Sequence, residues 1–215
     1  MNLSDPLATI SNEEIYFTWY LEELQERGFI KSWKRADPIP LFSTVKAWYL
    51  KVGPKKSNSY DRTLLKAAEY TPDFEITWTD KARGVLFDVA RSSEADATDQ
   101  PRCFFQVAGR ATMMYPYKSL VEVKGGFTES REIKWYSVLI KCVYHLHGLY
   151  VQKLEVSNKK SSVFCKTFCP ERFKLTDKTL KPRSLKFSPT SLADLVKVTG
   201  TTVKEAVETK KRKTK

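Results

Sequence analysis

The sequence predicts a mixed α/β protein built on one central sheet. Three observations lead there: a helical stretch from Ser11 to about Arg27, strand-like runs at Tyr70 to Trp78 and Leu120 to Val123, and a second long helix, roughly 129–146, followed by a further strand.

The first helix carries an apolar stripe of Phe17, Leu21 and Leu24 and stops at Gly28. Glu14 lies one turn before Phe17 and therefore points towards the body, whereas Glu23 points away. An inward carboxylate needs a partner, because an unpaired buried charge is costly. Ser11 and Glu14 form a Ser-x-x-Glu capping box in which Glu14 would bond back to the Ser11 amide. Such a cap does not exclude a place beside a metal.

Phe29 to Phe42 holds Pro38 and Pro40 and reads as irregular. Thr44 to Val52 has strand composition, Gly53 to Asp61 reads as a polar loop offering Lys55 and Lys56 to phosphates, and Leu64 to Ala68 as a short helix or extended lead-in. Tyr70 to Trp78 alternates as a strand with Asp73 near its start. Val85 to Val89 and Cys103 to Val107 read as two arms of a long hairpin, with Ser92 to Pro101 as its polar tip. Leu120 to Val123 is an apolar strand ended by Gly125-Gly126. Thr128 caps the second helix, which contains Trp135, Leu139 and Val143 and ends at Gly148; Leu149 to Val156 is the next strand. Further on, Val163 to Phe168 reads as a strand and 170–188 as loop. Ser191 to Val198 and Thr202 to Thr209 read as short helices, and Ala193 and Gly200 are too far apart for the tight turn of a helix-turn-helix.

The 215 residues suit one domain, and 41% hydrophobic content with five Trp argues for a folded body. Of the net charge of +12, residues 153–186 carry +7 and Lys210-Lys211-Arg212-Lys213-Thr214-Lys215 carry +5, so the rest sums to about zero. A basic C-terminal third suggests a polyanionic partner, most simply nucleic acid; a solubilising surface is the plain alternative. The four cysteines follow no secreted disulfide pattern, and the N-terminus has no signal-peptide layout. No apolar run approaches the roughly 18 residues of a membrane span. The expectation is a soluble, reduced, cytoplasmic protein with no membrane partner. Cys142, His145, His147, Cys165 and Cys169 include zinc-type ligands, but the helix holding three of them suits a core role.

Chemistry concentrates in Asp73 and in Glu122-Val123-Lys124. Magnesium prefers few, hard oxygen ligands and keeps several waters, which Asp73, Glu122 and the Val123 carbonyl would supply from adjacent strands. Lys124, two residues past Glu122, shares its face and could position an attacking water or offset charge on the phosphorane. Ordinary surface charge at strand ends is the plain alternative. Lys134 on the following helix could reach a phosphate, though a solvated lysine is the simpler reading. Trp33, Trp48, Tyr115 and Tyr117 could stack on bases, with packing as the default.

From Ser11 to about Val156 these motifs resemble the PD-(D/E)xK nuclease superfamily, in its compact phage endonuclease, Holliday-junction-resolvase-like or TnsA-like branch. Ser11-Asn12-Glu13-Glu14, the helix to Gly28-Phe29-Ile30, Tyr70-Thr71-Pro72-Asp73-Phe74 and Val121-Glu122-Val123-Lys124-Gly125 follow one another in that family's order. The resemblance implies a restriction-endonuclease-like core, a central mixed sheet flanked by helices, over residues 1–156. Glu14 would be the helix acid, Asp73 and Glu122 the metal ligands, and Lys124 the catalytic lysine. The implied activity is a Mg2+-dependent DNA endonuclease, with Mn2+ as a substitute, leaving a 5′-phosphate and a 3′-hydroxyl, on branched or recombination intermediates if it follows that branch. A junction nuclease would be expected to act as a homodimer. The 49 positions from Asp73 to Glu122 exceed the family's usual spacing, and the excess is assigned to an inserted hairpin, residues 80–118. Residues 157–209 read as a basic extension holding the substrate backbone and 210–215 as a disordered, DNA-contacting tail through Lys210, Lys211, Arg212 and Lys213. The rival reading is a non-catalytic nucleic-acid-binding protein on a degenerate nuclease fold. An RNA substrate is compatible with the same residues.

Overall fold

The structure, a computed structural model, describes residues 10–54, 56–89, 103–109, 112–125 and 130–198. Helix α1 (Asn12–Glu26) leads into β1 (Ile30–Arg35), β2 (Ile39–Phe42), β3 (Val45–Val52), β4 (Ser57–Leu65), β5 (Ala68–Tyr70) and β6 (Phe74–Trp78). Then follow β7 (Phe87–Val89), β8 (Phe105–Val107), β9 (Lys118–Lys124), α2 (Ser130–His147), β10 (Val151–Glu155) and α3 (Val163–Lys166). The class is mixed α/β, as expected. Its central sheet has the order β1-β6-β9-β10, antiparallel except for the parallel pair β9·β10, which α2 connects.

Helix α1 ends as its sequence demands. Gly28 takes a φ of 74°, its N–H donates to the Gln25 carbonyl and the Phe29 N–H donates to the Leu24 carbonyl, the paired bonds of a Schellman cap. Phe17, Tyr20, Leu21 and Leu24 are fully buried at helical spacing against Phe74, Ile76, Val121 and Val123. Alternation along β9 sends Leu120 to the opposite face, into a second cluster with Ile39, Leu41, Tyr70, Val143 and Val151. Glu122 and Lys124 belong to that second face.

The insertion between Asp73 and Glu122 stays outside the central sheet. β6 pairs directly with β9, Phe74 opposite Val121, while β7 and β8 form a separate two-stranded ladder. That ladder is parallel, Phe87 opposite Phe105, so the expected hairpin is corrected. Its expected tip lies outside the described residues.

Three other expectations are corrected. Phe29 to Phe42 is not irregular: β1 is an outer strand of the central sheet, and Pro40 is accommodated in the two-stranded β2·β5 pair, where the register shifts between Pro40 and Phe42. Gly53 to Asp61 is not simply a loop, since β4 pairs with β3 from Val45 opposite Leu65 to Val52 opposite Ser57. Leu64 to Ala68 takes the extended alternative, its ends lying in β4 and β5. Val163 to Phe168 is not a strand: Ser162 caps α3 by accepting from the Phe164 N–H.

Residues 157–198 contribute to the first core. The Tyr20 ring stacks on Phe168 at 4.4 Å and on Phe164 at 5.8 Å, and its hydroxyl bonds with Thr167 Oγ1 at 3.1 Å. Phe173 and Leu192 are buried in the same cluster, and residues 192–198 are helical. Cys142, Cys165 and Cys169 are free thiols, and among the described residues no helix is long and apolar enough to cross a membrane.

Candidate active site

Four chain segments reach the same end of the sheet. Arg35 ends β1 opposite Phe74, β6 begins at Phe74, and β9 ends at Lys124 opposite Glu155. Pro72 has no N–H to give a ladder, and Asp73 stands just before the first β6 residue. Extending the β6·β9 register by one position brings Asp73 opposite Glu122.

Asp73 caps the opening between the two strands. Its Oδ2 accepts from the Val123 N–H at 2.6 Å. In a strand the N–H and carbonyl of one residue face the same edge, so the Val123 carbonyl is turned to this opening as well. Burial, and next the negative charge of Glu122, push the Asp73 carboxyl from its ordinary 3.8 up to about 6, despite the Val123 N–H. Glu14 adds to the rise and Lys124 opposes it.

Glu122 is buried, with 7% of its surface exposed, and both of its oxygens are engaged. Oε1 pairs with Lys124 Nζ at 2.6 Å, and Oε2 accepts from the Tyr70 hydroxyl at 2.8 Å. Burial works against the Lys124 charge, but the bond to Glu122 and the charges of Glu122, Asp73 and Glu14 outweigh it, so the ammonium is held above its ordinary range. Tyr70 is pushed far upwards by burial and then by Glu122, and it stays a neutral donor. Beside it the Tyr136 ring stands edge-on at 6.4 Å; its buried hydroxyl has no hydrogen-bond partner among the described residues.

Glu14 enters from α1. Ser11 Oγ accepts from the Glu14 N–H at 3.3 Å and donates to Glu14 Oε1 at 2.9 Å, so the cap closes through the hydroxyl rather than the Ser11 amide. The second Glu14 oxygen pairs with Arg35 Nη1 at 2.5 Å. The same guanidinium lies 4.3 Å over the Phe74 ring and reaches the Asp73 carbonyl at 3.5 Å. Gly125 completes the end: a Cβ there would meet Glu13 Oε1 at 2.8 Å, so the first turn of α1 lies directly against it.

Glu14, Asp73, Glu122 and Lys124 therefore gather at one sheet end and interact electrostatically. Sequence reasoning did not single out Tyr70, Arg35 or Tyr136. Tyr70 sits within the same motif as Asp73 and was visible; Arg35 was hidden in a segment read as irregular. Lys56 is exposed at the β3–β4 turn, away from the sheet ladder. Lys55, Lys210, Lys211, Arg212, Lys213 and the Lys134 side chain lie outside the described residues. Trp33 packs on Phe74 at 6.0 Å and Tyr117 on Phe87 at 5.4 Å, whereas Trp48 and Tyr115 are exposed.

Among the described residues, no three His, Cys, Asp or Glu side chains form a ready metal cage. The donor set still suits a hard cation. Asp73 and the Val123 carbonyl face one opening with Glu122 beside them, and burial, then the Glu122 charge, raises the Asp73 carboxyl, a cost that a divalent ion would offset. No known family model, curated protein or solved structure matches this chain.

Proposed function

We propose that this chain is a metal-dependent DNA endonuclease of PD-(D/E)xK type with a restriction-endonuclease-like core. The observation that carries the reading is Asp73 beside Glu122 at the opening between β6 and β9, with Lys124 paired to Glu122 at 2.6 Å. Asp73, Glu122 and the Val123 carbonyl would hold Mg2+ or Mn2+. Bound there, such an ion would supply polarisation of the phosphate and a more acidic water.

The protein's own groups supply the rest. Tyr70 holds the Glu122 carboxylate in orientation through Oε2. Lys124 is held in its charged form and would offset negative charge developing on a phosphate bound beside Glu122. Glu14, braced by Ser11 and Arg35, adds negative potential on the α1 side.

A non-catalytic nucleic-acid-binding protein is favoured by one observation: Glu122 spends both oxygens on Lys124 and Tyr70. A panel of labelled linear, nicked and four-way-junction DNAs incubated with Mg2+ and Mn2+ separates the two. The nuclease reading expects products with 5′-phosphate and 3′-hydroxyl ends on at least one substrate. Retention of DNA without any cutting under either metal would leave the non-catalytic reading.

A further inference from the structure

The excursion between β2 and β5 is a ribbon that the candidate site does not use. β3 and β4 pair over eight register positions, and the Gly53 N–H closes the turn onto the Lys56 carbonyl. Every residue of β4 is exposed, and every residue of β3 except Ala47. Trp48 is 64% exposed and Val52 73%, large apolar groups that a ribbon surrounded by water has no reason to carry. Isolated two-stranded hairpins are marginal in water, so a ribbon of this length points to a partner that orders it.

Charge names the partner. Residues 44–66 hold Lys46, Lys51, Lys55, Lys56, Arg62 and Lys66 against Asp61 alone, a net of +5. Register and alternation put Tyr49, Lys51, Asn58, Tyr60 and Arg62 on one face. There the Tyr49 and Tyr60 rings stack at 5.7 Å and 21°, with a cation on either side along the ribbon. The opposite face carries Trp48, Leu50 and Val52. Cations with hydrogen-bonding and stacking groups on one side, and apolar groups on the other, suit a surface enclosed by phosphate walls with base edges between.

The root of the ribbon adds position. The β2·β5 pair stands at the base of the β3·β4 pair along the chain, Ala67 N–H donates to Thr44 Oγ1 between them, and the last β5 residue, Tyr70, donates to Glu122. Eight strand residues reach about 26 Å. That is most of one turn of B-form DNA, about 34 Å. A two-stranded ribbon is also what the major groove, about 12 Å wide, admits.

We infer that β3–β4 is an arm that lies in the major groove of duplex DNA and holds the duplex against the sheet end. The inference rests on the nuclease reading for what happens at the arm's root, and not for binding itself. It also solves a problem of that site: Glu13, Glu14, Asp73 and Glu122 repel a polyanion, and attraction has to be supplied from outside them.

The test uses the full chain carrying Lys124→Ala, so that bound DNA stays uncut, and reads anisotropy of a labelled 20-base-pair DNA between 50 and 200 mM salt. Adding Lys51→Ala with Arg62→Ala should weaken duplex binding about tenfold at the lower salt and flatten the logarithmic salt slope by about 2. Tyr49→Ala with Tyr60→Ala should weaken it with little change in slope. Duplex RNA of the same sequence, whose deep and narrow major groove excludes a ribbon, should be insensitive to all four substitutions. Unchanged DNA affinity and slope in both double variants would overturn the arm. So would an equal loss on duplex RNA, or a dimer in sedimentation that these substitutions dissolve, which would make the ribbon a contact between copies. Arm-dependent DNA binding in a wild-type chain that cuts nothing would keep the arm and remove the nuclease.

Discussion

The sheet end and the β3–β4 ribbon are opposite solutions in one chain. The first is buried, acidic and coupled: beside burial, Glu122 acts on Asp73, Lys124 and Tyr70 alike. The second is exposed and basic, and its residues touch chiefly their own cross-strand partners. The contrast teaches where each can be altered. A change at the sheet end alters stability and site together, whereas a change on the ribbon should alter binding alone.

The largest effects separate core from arm. Phe168→Ala, which empties the stack on Tyr20, should cost about 3–5 kcal/mol in urea unfolding. Excision of residues 44–66, with Ser43 joined to Ala67 through a short turn, should cost less than about 1 kcal/mol, because the segment buries almost nothing. A large loss on excision would mean that the ribbon is part of the body.

Tyr70→Phe leaves a buried carboxylate without its second partner. It should cost about 1.5–3 kcal/mol in thermal or urea unfolding.

Asp73→Asn should act in the other direction. The folded carboxyl titrates at about 6 and the unfolded one near 3.8, so the folded state binds the proton more tightly. The Asp73 contribution to stability should therefore fall as pH rises from about 4 to 6, and stay lower above that. Asn keeps an acceptor for the Val123 N–H and carries no charge. The variant should be about 1–2 kcal/mol more stable at pH 7 than the wild type, after discounting for partial exposure, and the gap should close below about pH 4. Millimolar Mg2+ should narrow the gap at pH 7 by stabilising only the wild type. A constant gap across pH would contradict a raised Asp73 carboxyl, whether lifted by burial or by Glu122.

Arg35→Ala should also have a small effect, about 1 kcal/mol or less, since the side chain is 41% exposed.

The parts of the fold that bury a face were legible. The stripe of α1, the β6 alternation and the apolar β9 run each follow from sides that must meet a core. The insertion before Glu122 also stays out of the central sheet as the spacing required, although its paired strands run parallel. The ribbon was half hidden. β4 reads Ser-Asn-Ser-Tyr-Asp-Arg-Thr-Leu-Leu, polar for most of its length, and a strand with water on both faces has no burial pattern to declare itself. Averaged charge concealed it too, since its +5 is cancelled by acids elsewhere in the body. In residues 157–198, Phe164, Phe168 and Phe173 were bracketed by lysines and cysteines without a period, so only the fold reveals that they line up on Tyr20 and Tyr16. At the site, the acids and the lysine were legible from their order. Tyr70 and Arg35 act through contacts 52 and 21 positions away, to Glu122 and Glu14, which no local pattern encodes.

The central claim is that Asp73, Glu122 and Lys124 form a magnesium-dependent phosphodiester-cleaving site. The most direct measurement is nicking of supercoiled plasmid by the purified wild type beside Asp73→Ala and Lys124→Ala, with folding checked by circular dichroism. The prediction is Mg2+-dependent nicks in the wild type and a loss of at least about 10³-fold in each folded variant, with DNA binding retained. Cleavage at wild-type rate by either variant, or a wild type that nicks nothing under Mg2+ or Mn2+, would contradict it.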